Sequence, residues 1–113
     1  MNAKTPQDTR FGDGTTTASP SLGDVDALSE IFSALGDPTR LRIIYAIKER
    51  ERSVGEIADL LGLSQPSVSQ HLRRLRHLRV VRLRREGRRH FYQLDDDHVA
   101  TLLRVSLDHV RGG

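Results

Sequence analysis

The sequence predicts a mainly α chain carrying one small β-hairpin, and three observations lead there. Apolar residues recur at three- and four-residue spacing in one segment after another, the period of helices with one buried face. Gly62-Leu63-Ser64 separates two short segments of this kind, a turn short enough to hold two helices at a steep angle. Glu86-Gly87 lies between Val80 to Arg85 and Arg88 to Leu94, two stretches of nearly alternating polarity, which is a hairpin signal.

Residues 1–21 are rich in Thr, Gly, Ser and Pro, with Phe11 as the one large apolar side chain after Met1. They read as a disordered tail, which leaves 22–111 as the folded domain. Leu22, Val25, Leu28, Ile31, Phe32 and Leu35 form the stripe of a first helix that ends at Gly36. Asp37-Pro38 then supplies an N-cap and a first-turn proline for a second, more buried helix through Leu41, Ile43, Ile44, Ala46 and Ile47. Ser53-Val54-Gly55-Glu56 is a capping box that opens a third helix stopping at Gly62. Ser64 caps a fourth, with Pro66 in its first turn and Val68, Leu72 and Leu75 facing inward. After the hairpin, Asp95 or Asp96 caps a last helix whose apolar side holds Val99, Leu102, Leu103, Ser106, Leu107 and Val110. Two helices around a tight turn followed by a basic hairpin make a winged helix-turn-helix, the fourth helix being the recognition helix.

Composition narrows the function. The net charge of +3 conceals a basic middle: from Arg73 to Arg89 nine arginines face one acid, Glu86. Such a block seeks a polyanion. The absence of cysteine removes disulfides, thiolate metal sites and redox thiols together, so any metal must be held by N and O ligands. No stretch resembles a signal peptide or a membrane span, and the expected location is cytoplasmic, without a membrane partner. There is no nucleophile–base arrangement and no glycine-rich phosphate loop, so an enzyme acting on a small organic substrate is not expected. A core of some ninety residues is small, and a homodimer interface would supplement it.

The expected partner is double-stranded DNA. On the recognition helix Ser64, Gln65, Ser67, Ser69, Gln70, His71 and Arg73 are not needed for packing, and amides and hydroxyls suit base edges in the major groove. Arg84, Arg85, Arg88 and Arg89 place guanidinium groups on the hairpin, where they suit phosphate or minor-groove contact. For His71, plain surface polarity fits as well as a base contact.

The runs EIFSALGDPTRLRII, SVGEIADLLGLSQPSVSQHLRRLR and HFYQLDDDHVATLL resemble the ArsR/SmtB family of winged-helix repressors, most closely its zinc- and cobalt-responsive members. The resemblance covers residues 28–110. It implies a homodimer paired through the first and last helices that blocks transcription until an inducer weakens DNA binding. One branch of the family senses soft metals through Cys on the helix before the recognition helix, and Ser53 to Leu61 contains none.

A second branch uses Asp and His on the last helix, where this chain offers Asp96, His98 and His109. His98 and His109 are eleven residues apart, which returns them to within about 20° of one helix face but leaves them about 16 Å apart along the axis. One chain cannot close a site of metal bonds of about 2 Å. Two antiparallel copies can, with Asp96 and His98 from one chain and His109 from its partner, and the resemblance implies the same arrangement. Zn(II) is the expected ion, with Co(II) or Ni(II) compatible with the same ligands. Where that branch carries a second histidine three residues after the one matching His109, this chain has Gly112. Asp108 or the terminal carboxylate could take the fourth position. The spacing by itself also fits Asp96 as a simple helix cap beside two ordinary polar histidines, in a repressor that answers another signal. A winged helix used for protein contact is a further alternative.

Overall fold

The computed structural model describes residues 19–112. The element order is α1 (Leu22–Leu35), α2 (Pro38–Ile47), β1 (Arg52–Ser53), α3 (Val54–Leu61), α4 (Gln65–His77), β2 (Val81–Glu86), β3 (Arg89–Leu94) and α5 (Asp97–Val110). All five expected helices are present. The tail expected over 1–21 lies outside the described residues except for its last three, and one of these belongs to the helix that follows. Ser21 Oγ accepts from the Asp24 N–H at 3.0 Å, and Asp24 Oδ2 accepts from the Ser21 N–H at 3.0 Å. This reciprocal cap satisfies two N–H groups that a helix start leaves unpaired.

Chain contacts divide the protein after Glu30. In the first unit Leu22, Val25 and Leu28 are exposed. In the second, from Ile31 onward, α2 to α4 and the base of the hairpin share one core. Ile43, Ile44, Ile47, Ile57, Val68, Leu72, Leu75, Val80 and Val81 are fully enclosed there, and Val99 and Leu102 of α5 pack against it.

Local chemistry explains the joints. Asp37 accepts from the Arg40 N–H at 2.9 Å ahead of Pro38, the Ser53–Glu56 box is closed in both directions, and Ser64 Oγ accepts from the Ser67 N–H. Gly62 ends α3 at φ 70°, the left-handed conformation that glycine adopts without a Cβ clash.

The end of α4 uses the same device with a less suitable residue. Val80 N–H donates to the Leu75 carbonyl at 2.9 Å and Arg79 N–H to that of Arg76 at 3.0 Å, the paired bonds of a Schellman turn. Arg79 occupies its left-handed position at φ 60°. Arg79→Gly is therefore expected to stabilise the fold by about 0.5–1 kcal/mol, and a rise in urea midpoint at unchanged slope checks it.

The hairpin expectation needs one correction. The sheet has three antiparallel strands in the order β1-β3-β2, because Arg52 and Ser53 pair with Tyr92 and Phe91. A two-residue strand is too short to show alternation, and its second residue had already been spent on capping α3. The turn itself is Gly87-Arg88, closed by Glu86 opposite Arg89, with Gly87 at φ 61° in the first central position, where tight hairpins favour glycine.

Candidate nucleic-acid interface

The core face of α4 fixes what its other face can do. With Val68, Leu72 and Leu75 fully buried, 100° per residue places Gln70 and Arg73 on the far side, about 60° apart. Both are exposed, and exposed His77 falls between them in angle. His77 is not among the candidates named from the sequence, although helical periodicity places it on this face.

The remaining recognition-helix candidates lie nearer the edges. Ser69 and Ser67 are half-buried on either flank. Ser64 spends a lone pair on the cap, and the Gln65 amide lies over Gly55 of α3, 3.6 Å from where a Cβ there would sit. His71 is half-buried, with Nδ1 3.4 Å from Arg40 Nη1. Arg40 is itself held, since its Nε–H donates to the Ala34 carbonyl at 2.8 Å. Asp37 beside it is held below the ordinary carboxylate range, mainly by the Arg40 backbone N–H.

The four hairpin arginines occupy different environments. Arg85, Arg88 and Arg89 are exposed, Arg88 in the turn itself. Arg84 is half-buried and donates from Nε to Glu51 Oε1 at 2.9 Å and from Nη2 to Glu51 Oε2 at 2.6 Å. These bonds hold the Glu51 carboxyl low and the Arg84 guanidinium high. Arg84 and Arg89 also lie 4.7 Å and 4.8 Å from the centre of the Phe91 ring.

At the start of α5, Asp96 is the N-cap. Its Oδ1 accepts from the His98 N–H at 2.9 Å, and its Oδ2 lies 3.2 Å from His98 Nδ1. His98 is exposed there, and His109 is exposed in the last turn of the same helix. The fold thus brings Asp96 and His98 together and leaves His109 apart from them. Among the described residues no three potential ligands converge within one chain.

The described residues thus form a winged helix-turn-helix with a polar outward face on α4. The family model described as bacterial regulatory protein, arsR family, matches residues 37–82, from the α2 cap into β2. The transcriptional repressor SmtB homolog of Synechocystis sp. is 42% identical over 91 residues, covering 80% of this chain and 69% of the relative. The chain belongs to the ArsR family.

The likeness continues in other ArsR-type regulators. The HTH-type transcriptional regulator KmtR of Mycobacterium tuberculosis is 46% identical over 74 residues, 66% of this chain, which spans 57% of that relative's length. A solution structure from Mycobacterium bovis, described as a homodimeric winged helix-turn-helix DNA-binding domain and a possible ArsR-family regulator, aligns with TM-score 0.71. It is 28% identical and covers 79% of this chain and 86% of that one. ArsR-family membership makes this chain a DNA-binding transcriptional regulator and not an enzyme. Among the described residues no helix is long and apolar enough to cross a membrane.

Proposed function

We propose that this ArsR-family chain is a homodimeric repressor that binds operator DNA and is released from it by Zn(II), with Co(II) and Ni(II) as alternative inducers. The observation that carries the DNA half is the outward face of α4, with Gln70 and Arg73 exposed opposite a fully buried apolar row. Gln70 reads a base edge in the major groove while Arg73 and the hairpin arginines Arg85 and Arg88 neutralise phosphate. A dimer places two such helices one helical turn of DNA apart, on a palindromic site. A homodimer is supported by the similar M. bovis domain, which is described as homodimeric, and pairing through α1 and α5 by the exposed apolar side chains of Phe32, Val105 and Val110 on those helices.

The metal half rests on donor chemistry. Asp96 and His98 present an oxygen and a nitrogen 3.2 Å apart at the start of α5, a donor set that suits Zn(II), and His109 of the other protomer would complete it. Asp96, His98 and the other protomer's His109 would hold the ion, which would supply a divalent charge shared between the two last helices. Asp96 Oδ1 keeps the first turn of α5 capped while Oδ2 faces His98, so ligand and cap are shared between the two oxygens of one carboxylate.

A second reading, the same repressor answering a different signal, is favoured by Gly112. That residue sits at φ 77° after α5, its N–H bonded to the His109 carbonyl, so a glycine is accounted for there by backbone geometry alone. One experiment separates the readings. Fluorescence anisotropy with the DNA upstream of the protein's own gene should give salt-dependent binding that weakens on adding zinc and recovers with chelator. Isotherms insensitive to zinc and chelator remove the metal; the absence of salt-dependent binding removes the DNA.

A further inference from the structure

Phe91 is only 9% exposed, yet it stands outside the cluster of side chains that forms the core. Side chains alternate faces along a strand. On β3, Tyr92 and Leu94 pack against the core, so Phe91 points to the opposite face, away from it. What covers the ring is charge: the guanidinium groups of Arg84 and Arg89, each within 5 Å of its centre. Arg84 is the direct cross-strand neighbour of Phe91 on β2, and Ser53 is its neighbour on β1. From one edge strand, then, the Arg84 side chain reaches across the central ring. It ends in two hydrogen bonds to Glu51, immediately before the other edge strand. Paired, planar and stacked on an aromatic face, it uses each of the properties that distinguish arginine from lysine.

We propose that Glu51 and Arg84 are positioning residues that strap the three-stranded sheet together and set the angle at which Arg85 and Arg88 meet DNA phosphate. Arg84 is on this view not itself a phosphate contact. Its charge is matched by Glu51, with Glu86 3.9 Å away, whereas among the described residues Arg85 and Arg88 form no ion pair. The hairpin is otherwise a two-strand projection beyond the short β1, and isolated hairpins are marginal. The strap anchors its middle to the connection between α2 and α3.

This inference rests on the DNA-binding reading for its effect on affinity, but the strap can be read without DNA. Glu51→Gln decides most sharply, because charge alone and strap make opposite predictions. Removing a negative charge beside a DNA-binding wing tightens binding on simple electrostatics, whereas loosening the wing weakens it. The expected result is a loss of about two- to fivefold at fixed salt. Arg84→Lys, which keeps the charge and loses the fork, should show a similar loss with the slope of log K against log salt unchanged. Arg88→Ala should flatten that slope by about 0.9 for each phosphate contact removed. In the free protein, Glu51→Gln should speed hydrogen exchange of the β2 and β3 amides while amides in α4 keep their rates. Tighter or equal DNA binding by Glu51→Gln overturns the proposal, as does a slope change in Arg84→Lys. Unchanged hairpin exchange also overturns it, even if the wild-type protein should bind no DNA.

Discussion

His109→Ala is expected to leave metal-free DNA binding intact while abolishing its response to zinc. The imidazole lies in the last turn of α5, exposed and apart from the Asp96–His98 pair in its own chain, so its removal disturbs neither the core nor the cap. Its proposed role is across the dimer, where it converts a two-ligand contact into a three-ligand site. Two ligands from one helix start hold zinc more weakly than the three protein ligands that zinc sites ordinarily use. If the wild-type coupling lies in the usual range, zinc weakens DNA binding by about 5- to 150-fold, and thermodynamic linkage requires DNA to weaken zinc binding by the same factor. Both numbers should fall to about one in the variant. Anisotropy with and without zinc, paired with a zinc titration in the presence of saturating DNA, measures each side of that cycle. Persistent zinc-driven release by His109→Ala would place the inducing site elsewhere.

The second large effect is on stability. Leu72 is fully buried on α4 against the core, with Gln70 and Arg73 as its neighbours on the opposite face. Leu72→Ala keeps helix propensity but removes the contacts of three heavy atoms, Cγ and both Cδ, from a packed site, at a cost of about 2–5 kcal/mol. Against a total of about 5–15 kcal/mol for a domain of ordinary stability, that is enough to unfold a measurable fraction at 37 °C. Urea unfolding followed by circular dichroism checks the number, and DNA affinity per folded molecule should fall much less than stability does. A loss below 1 kcal/mol would mean that the core around α4 collapses around the cavity.

The helix-turn-helix was legible because its punctuation is local. Asp37, Ser53, Gly62 and Ser64 each act within three or four residues of the groups they satisfy, so their spacing in the sequence is their geometry. The hairpin was legible for the same reason, through Gly87. What the sequence concealed lies between distant residues. Arg84 and Glu51 are 33 positions apart, and nothing in a run of arginines distinguishes the one that is paired from those that are exposed. Likewise β1 is two residues long and borrows its strand character from β3, so no periodicity within it could announce it. At the candidate metal site the local pair, Asp96 with His98, is visible in the sequence and in the fold, whereas the role proposed for His109 depends on a second chain and so on no distance within this one.

Ser53 ties these pieces to one another. It is the last residue of β1, opposite Phe91, and also the N-cap of α3, with a closed capping box to Glu56. At Ser53 the sheet and the helix-turn-helix therefore meet with no slack residue between them, in addition to the direct connection from α4 into β2. Chain length is tolerant at the Gly87-Arg88 tip, where an added residue only enlarges an exposed turn. At Ser53 one inserted or deleted residue would shift the strand register and move the cap at once, so this connection helps set the spacing between the helix proposed to read bases and the hairpin proposed to grip phosphate.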